Sequence, residues 1–338
     1  MSVWEHGKSI RPYQLACLVC RAGSVDDCAG DDAAPCGSAR VAQLAELIRD
    51  NPDMPLTLCC NVGDVCAYQD PGPAEDTAGS AEFNAKRDLD ILQWLDLAPG
   101  STLPARILIR RLLLRMETVR GVCGYDDVTA PAWEGCPKAD SGDYERGREL
   151  GVEAIIPPRP EDEMVADKQQ SMAALEKGGV IPIRPHIVVC SVCQYGNDVR
   201  PPFAADNLPE WLQMVLEPGC ELQVELVPGA DWAMCAPCPS RSQEGCCVCG
   251  KTGSGGLYNV VKDLNVLKAL GLTFGTVMNA REMYRLIFER IPTTNGVCAL
   301  TAIGVPEHSI WKDGCSSMTF PGPYEKGREE LMDRVKDE

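Results

Sequence analysis

The chain carries one pattern twice. Ile10-Arg11-Pro12-Tyr13 leads to Cys17 and Cys20, and 173 positions later Ile183-Arg184-Pro185-His186 leads to Cys190 and Cys193. Phe83-Asn84, Asp88-Leu89, Leu92, Leu95, Gly100, Arg106 and Gly121-Val122-Cys123 recur 175 positions later as Tyr258-Asn259, Asp263-Leu264, Leu267, Leu270, Gly275, Arg281 and Gly296-Val297-Cys298. Cys66 answers Cys235, and Trp133, Gly135-Cys136 and Tyr144-Glu145-x-Gly147-Arg148-Glu149 answer Trp311, Gly314-Cys315 and Tyr324-Glu325-x-Gly327-Arg328-Glu329. Solenoid units repeat every ~20–50 residues, so a repeat of this length is a whole domain. The pattern predicts two pseudo-symmetric duplicated domains, residues 1–154 and 181–338, with the proline-rich, acidic stretch 155–180 as a linker.

Both halves present their elements in the same order. A segment carrying Cys-x-x-Cys comes first, then a helix-like stretch (41–49, 208–216), then a short apolar run. In the second half that run, 221–227, alternates at period two and predicts a strand. Leu89, Leu92 and Leu95, with Leu264, Leu267 and Leu270, recur at helical spacing and are expected in the core. Further helices are expected over 104–117 and 279–290. Helices with a few short strands, not alternating as a parallel sheet demands, predict an α+β class, each domain built around a cysteine cluster.

Composition narrows the chemistry. With 45% hydrophobic residues, 338 residues can bury a sizeable core. A formal charge of -17 and a pI near 4.7 repel phosphate backbones and anionic surfaces, so neither nucleic acid nor a membrane is an expected partner. Apolar stretches such as 107–114, broken by Arg110 and Arg111, fall far short of the ~20 residues of a membrane span. Residues 1–6 show no apolar core preceded by positive charge, so no signal peptide is expected, and a cytoplasmic address follows. Nineteen cysteines in a reducing compartment then call for metal ligation, since an odd number with adjacent pairs (Cys59-Cys60, Cys246-Cys247) suits disulfides poorly.

Thiolates hold iron–sulfur clusters because soft sulfur donors match iron in a sulfide cage. The expected ligands of the second half are Cys235, Cys238, Cys247 and Cys315, with Cys298 and Cys246 as substitutes. In the first half they are Cys66, Cys123 and Cys136, completed by Cys60 or Cys17, while Cys28, Cys36 and Cys59 are further thiols. Gln69 stands where the second half has Cys238.

The second half resembles a known family. Arg184-Pro185-His186, Cys190, the stretch from Asp231 to Cys235-Ala236-Pro237-Cys238-Pro239, Gly245-Cys246-Cys247, Asp263-Leu264, Leu267, Leu270-Gly271-Leu272, Cys298, Trp311 and Cys315 look like the bacterial and archaeal family called domain of unknown function 1284. The first half resembles it more weakly, with Tyr13 for the histidine and Gln69 for a cysteine. Members of that family are usually single domains, so a tandem form is a departure. The resemblance implies an iron–sulfur cluster, [4Fe–4S] being the leading type with one or two per chain, and supplies no reaction.

The expected function is a redox one: electron transfer, or a cluster-dependent reductive enzyme, with a redox protein or a small molecule as partner. Two alternatives stand beside it. One is a structural zinc or cluster site in a binding or maturation protein. The other is a nonredox enzyme with an open iron position. His186 is a candidate proton donor or ligand, though a hydrogen-bonded structural histidine explains it as well. Arg11 and Arg184 read as structural elements or charge compensation for thiolates, with an anionic substrate pocket as the sharper reading. The repeated Tyr-Glu-x-Gly-Arg-Glu motif reads as a terminal structural cap. Gly245 to Thr252 matches Gly-x4-Gly-Lys-Thr letter for letter, but Pro237, Pro239 and Gly253-Ser254-Gly255-Gly256 deny it the strand and helix a phosphate loop needs.

Overall fold

The Arg-Pro pair sets the start of each unit. In the computed structural model, which describes residues 7–25, 35–60, 81–241, 256–298 and 322–336, the chain divides into compact units at Pro158/Arg159. In the first unit β1 (Lys8–Ile10) passes into α1 (Pro12–Gly23) through Arg11 alone. A residue before proline is held extended, and Arg11 sits at φ -82, ψ 140. Pro12 then opens the helix at a position whose N–H has no partner to lose. The Arg11 N–H is met by Gln14 Oε1 at 2.8 Å.

A short 3₁₀ turn (Pro35–Gly37), α2 (Ala39–Asp50), β2 (Pro55–Leu58), α3 (Ala81–Leu95), β3 (Thr102–Pro104), α4 (Ala105–Arg115) and α5 (Asp143–Leu150) follow. The sheet has the order β1-β2-β3, β1 and β2 parallel (Ile10 opposite Leu58), β2 and β3 antiparallel (Leu56 opposite Leu103). α1 is buried from Pro12 to Cys20, so it runs through the middle of the unit. Leu15, Leu18 and Val19 are core residues there, each worth about 1.5–3 kcal/mol of burial.

The second unit opens on α6 (Glu161–Glu176), which occupies most of the stretch expected as a linker and buries Ser171 and Leu175. It continues through β4 (Val180–Ile183), α7 (Pro185–Gly196), α8 (Leu208–Leu216), β5 (Gln223–Leu226), α9 (Trp232–Cys235), α10 (Leu257–Leu270), β6 (Val277–Asn279), α11 (Ala280–Arg290), α12 (Asn295–Cys298) and α13 (Pro323–Leu331). Its sheet has the order β4-β5-β6, parallel then antiparallel, as in the first unit. The class is mixed α+β. Among the described residues no helix is long and apolar enough to cross a membrane.

The Tyr-Glu-x-Gly-Arg-Glu motif does more than cap a terminus. Its helix crosses the cysteine-bearing helix at backbone contact: a Cβ on Gly147 would lie 2.0 Å from Val19 O, and one on Gly23 2.1 Å from Asp143 O. Gly327 and Gly196 make the same approach in the second unit, 2.3 Å from Val192 O and 1.7 Å from Pro323 O. Tyr144 Oη donates to Met116 O at 3.0 Å and Arg148 Nε to Leu113 O at 2.9 Å, meeting carbonyls at the end of α4. Tyr324 and Arg328 serve α11 through Ile291 O (2.7 Å) and Phe288 O (2.9 Å).

Two leucines expected in the core are not there. Leu89 is 37% exposed and Leu264 50%, because the neighbouring Asp88 and Asp263 take the inward positions of α3 and α10. Leu92, Leu95, Leu267 and Leu270 are in the cores as expected.

Candidate metal centre

Five cysteines of the first unit border one cleft. Cys17 and Cys20, one turn apart on α1, line a cleft with Cys36 of the 3₁₀ turn, with Cys123 and Cys136 from the segment after α4, and with Arg87 of α3 and Lys138. Backbone geometry brings two of the thiols side by side: Cys136 N–H donates to Cys123 O at 2.7 Å. Gly135 makes that approach feasible, because a Cβ there would lie 2.7 Å from the same oxygen and its φ is +79. Ser38 caps α2 by accepting from Val41 N at 3.3 Å and donates to Pro35 O at 2.7 Å, which fixes the turn holding Cys36.

Burial decides the protonation of these thiols. It raises the pKa of Cys17 and Cys20 well above the ordinary value and pushes Cys123 up to about 12. The neighbouring sulfurs add to the rise, while the Arg87 cation lowers Cys17 and Cys123. Arg87 is itself 1% exposed, stacked at 3.9 Å over the Tyr13 ring, with Nη2 on Asn84 Oδ1 at 2.9 Å. Its Nε has no hydrogen-bond partner among the described residues. A buried cation beside five thiols, with a donor to spare, suits a set of sulfurs that become thiolates when a metal displaces their protons.

The second unit repeats part of this arrangement. Cys190 and Cys193 stand on α7 where Cys17 and Cys20 stand on α1, and Cys298 closes α12. Cys193 and Cys298 both lie close enough to Tyr324 to raise its pKa, behind burial, as Cys20 and Cys123 do for Tyr144. Tyr258 Oη donates to Cys298 O and joins α10 to α12. Cys235 ends α9 and is buried, and Cys238 follows in a turn with its N–H on Cys235 O at 3.0 Å. Arg159 holds that turn from the side, Nη1 on Ala236 O at 2.5 Å and on Cys238 O at 3.2 Å, while Nη2 pairs with Asp167.

Beside the cysteines each unit buries an arginine–aspartate pair. Arg184 Nε and Nη2 donate to Asp263 Oδ2 at 3.0 and 2.6 Å, and His186 gives Oδ1 both its main-chain N–H (2.9 Å) and its ring Nδ1 (2.6 Å). In the first unit Arg11 Nε donates to Asp88 and Tyr13 N–H follows at 3.0 Å. Burial opposes the charge on Asp263, but the bonds from His186 and Arg184 outweigh it and hold the carboxyl below its usual range. Burial, aided by the Lys262 charge, lowers His186 to about 3, so the ring is neutral and Nδ1 is the protonated nitrogen.

Of the expected ligands, Cys17, Cys123 and Cys136 share the cleft, with Cys20, a repeated position, and with Cys36, which the repeat does not contain. Cys60 lies beyond β2 and does not line it. Cys235, Cys238 and Cys298 are described, whereas Cys66, Cys246, Cys247 and Cys315 lie outside the described residues, as do Cys28, Cys249 and the stretch 245–252. Among the described residues no three His, Cys, Asp or Glu side chains are drawn together closely enough to hold a metal ion. Compared with protein-family models, curated proteins and solved structures, the chain matches none of them.

Proposed function

We propose that the chain is an iron–sulfur protein of redox function, arisen by tandem duplication of one thiol-bearing domain. The observation that carries this reading is the cleft lined by Cys17, Cys20, Cys36, Cys123 and Cys136 beside the buried Arg87 cation. Five soft donors exceed what one closed zinc site takes, and Cys17, Cys20 and Cys123 are neutral until a metal displaces their protons. A cluster held there, [4Fe–4S] or [2Fe–2S], supplies one-electron transfer. Arg87 offsets the charge of the thiolates, and α1, pinned by α5, fixes the spacing of Cys17 and Cys20. The common element order and sheet topology of the units support the duplication.

The resemblance of residues 181–318 to the domain of unknown function 1284 family points the same way, as does the thiol content, which suits a reducing cytoplasm. The partner is a redox protein or a small molecule. The test is metal and sulfide analysis of the chain purified without oxygen, beside Cys36→Ala and the control Cys220→Ala. Iron with acid-labile sulfide, reduced in Cys36→Ala and unchanged in the control, is the expected outcome. Stoichiometric zinc without iron overturns the redox reading in favour of a structural site.

A further inference from the structure

We propose that the cleft of the first unit binds a small soft anion, hydrosulfide, at Arg87 before any metal is bound. The binding itself needs no iron, whereas the use made of it, as a source of sulfide for a cluster on the same cysteines, rests on the redox reading.

The case begins with a buried charge. Arg87 is 1% exposed and lines the cleft with Lys138 and the cysteines, and none of the described lining residues is Asp or Glu. Tyr13 covers the face of the guanidinium at 3.9 Å, and Asn84 Oδ1 takes Nη2 at 2.9 Å. Nε is buried and has no hydrogen-bond partner among the described residues. The carboxylates felt at Cys123, those of Asp88 and Asp90, are engaged elsewhere. Asp88 gives Oδ2 to Arg11 and Oδ1 to the Tyr13 N–H at 3.0 Å, and Asp90 pairs with Lys86. Arg11 is buried too, so the single charge of Asp88 lies between two guanidinium ions. Burying a cation beyond what the carboxylates offset is costly, and in a chain of formal charge -17 it is out of character. An unused N–H on such a cation, at the wall of a cleft, calls for an anion.

The walls choose which anion. Beside the two cations they consist of cysteines and of apolar residues such as Ala16, Val119 and Ala139. Thiols are neutral at their ordinary pKa of about 8.5 and donate only weakly. Phosphate or sulfate brings several oxygens that need donors these walls do not supply, and loses its hydration on entry. A one-atom, polarisable anion is satisfied by few donors and gains dispersion against sulfur and methyl groups. Hydrosulfide is such an anion, and its sulfur is the element that bridges the irons of a cluster. Arg87 then offsets first the charge of the bound hydrosulfide and later that of the thiolates.

The test uses the whole chain, reduced and stripped of metal without oxygen. It is dialysed to equilibrium against sodium hydrosulfide and the retained sulfide is measured, while ¹⁵N-arginine labelling follows the Nε–H signals by NMR through the same titration. Arg87→Lys, which keeps the charge, identifies the Arg87 signal by its loss. Saturable uptake is expected, displaced by iodide and not by phosphate, with the Arg87 Nε–H signal moving as the anion binds. In Arg87→Met the affinity is expected to fall about tenfold or more. If that variant does not fold, the iodide competition and the moving signal of the parent decide. No saturable uptake, equal uptake in parent and folded Arg87→Met, or displacement by phosphate as well as iodide overturns the site, and iron with acid-labile sulfide on the chain purified without oxygen then leaves the redox reading standing. Hydrosulfide bound as expected by a chain that takes up no iron upholds the site and overturns the redox reading.

Discussion

Gly147 lies against Val19 so closely that a methyl group on its Cα would stand 2.0 Å from the Val19 carbonyl oxygen. The contact is backbone on backbone, so no side chain can move aside to relieve it. Alanine favours a helix over glycine by ~1 kcal/mol, but the clash here outweighs that gain. Gly147→Ala is expected to destabilise the first unit by about 3 kcal/mol or more, and Gly327→Ala to do the same to the second. Urea denaturation checks both, and a stability equal to that of the parent chain would show that α5 is not clamped to α1 in this way.

Arg87 offers a separate test of charge against packing. It lowers the pKa of Cys17 and Cys123 from within the cleft while stacking on Tyr13. Arg87→Met keeps length and apolar contact but removes the cation. Loss of one charge beside thiolates is worth about 1–3 kcal/mol, roughly a tenfold to hundredfold loss of metal affinity at the first site. Competition with a chelator measures it. Arg87→Lys is expected to retain most of the affinity, and equal affinities for Met and Lys would assign Arg87 to packing alone.

Asp231 gives the second unit a pH dependence of known sign. Its carboxylate accepts from Met234 N at 2.6 Å and from Arg184 N at 3.0 Å, yet burial pushes its pKa up to about 6. The unfolded chain releases this proton near pH 3.9. The native state therefore holds the proton longer, and the stability tied to it is complete below the unfolded value and lost as pH rises through about 6. Asp231→Asn cannot titrate. The stability difference between parent and variant is expected to move against the parent by about 2 kcal/mol from pH 4 to pH 7, followed by urea titration at each pH. A difference that stays constant would mean Asp231 is ionised throughout.

The repeated sequence pattern made the α+β class and most elements legible, because apolar spacing reports helix faces and strands directly. The same spacing misassigned Leu89 and Leu264, since periodicity counts apolar residues and cannot weigh a buried carboxylate next door. Asp88 and Asp263 go inward because each answers a buried arginine 77 or 79 positions away. Their recurrence was visible, but their partners were not. Comparing the halves also hid Cys36, which has no counterpart in the second half, although it lines the cleft with Cys17 and Cys123. Gly147 and Gly327 stood out as repeated letters, but the demand for close approach appears only when two helices cross.

Arg159 shows what a proline-rich stretch can conceal. Pro157-Pro158-Arg159-Pro160 reads as a spacer, yet the arginine reaches the carbonyls of Ala236 and Cys238 and so braces the Cys-x-x-Cys turn of the second unit. Asp167 on α6 fixes the other end of the guanidinium, and Arg241, stacked at 4.6 Å over Trp232, lies 3.8 Å from the same carboxylate. Lysine keeps the charge but cannot span two carbonyls and a carboxylate with one planar fork. Charge-assisted bonds of this kind contribute about 1.5–3 kcal/mol, so Arg159→Lys should let the turn open roughly tenfold to hundredfold more often. Alkylation rates of Cys235 and Cys238, read by mass spectrometry on the metal-free chain, should rise accordingly, with Cys17 and Cys123 in the first unit unchanged. Equal rates in variant and parent would mean that the turn is held by its own Cys238 N–H to Cys235 O bond and that the arginine merely lies against it.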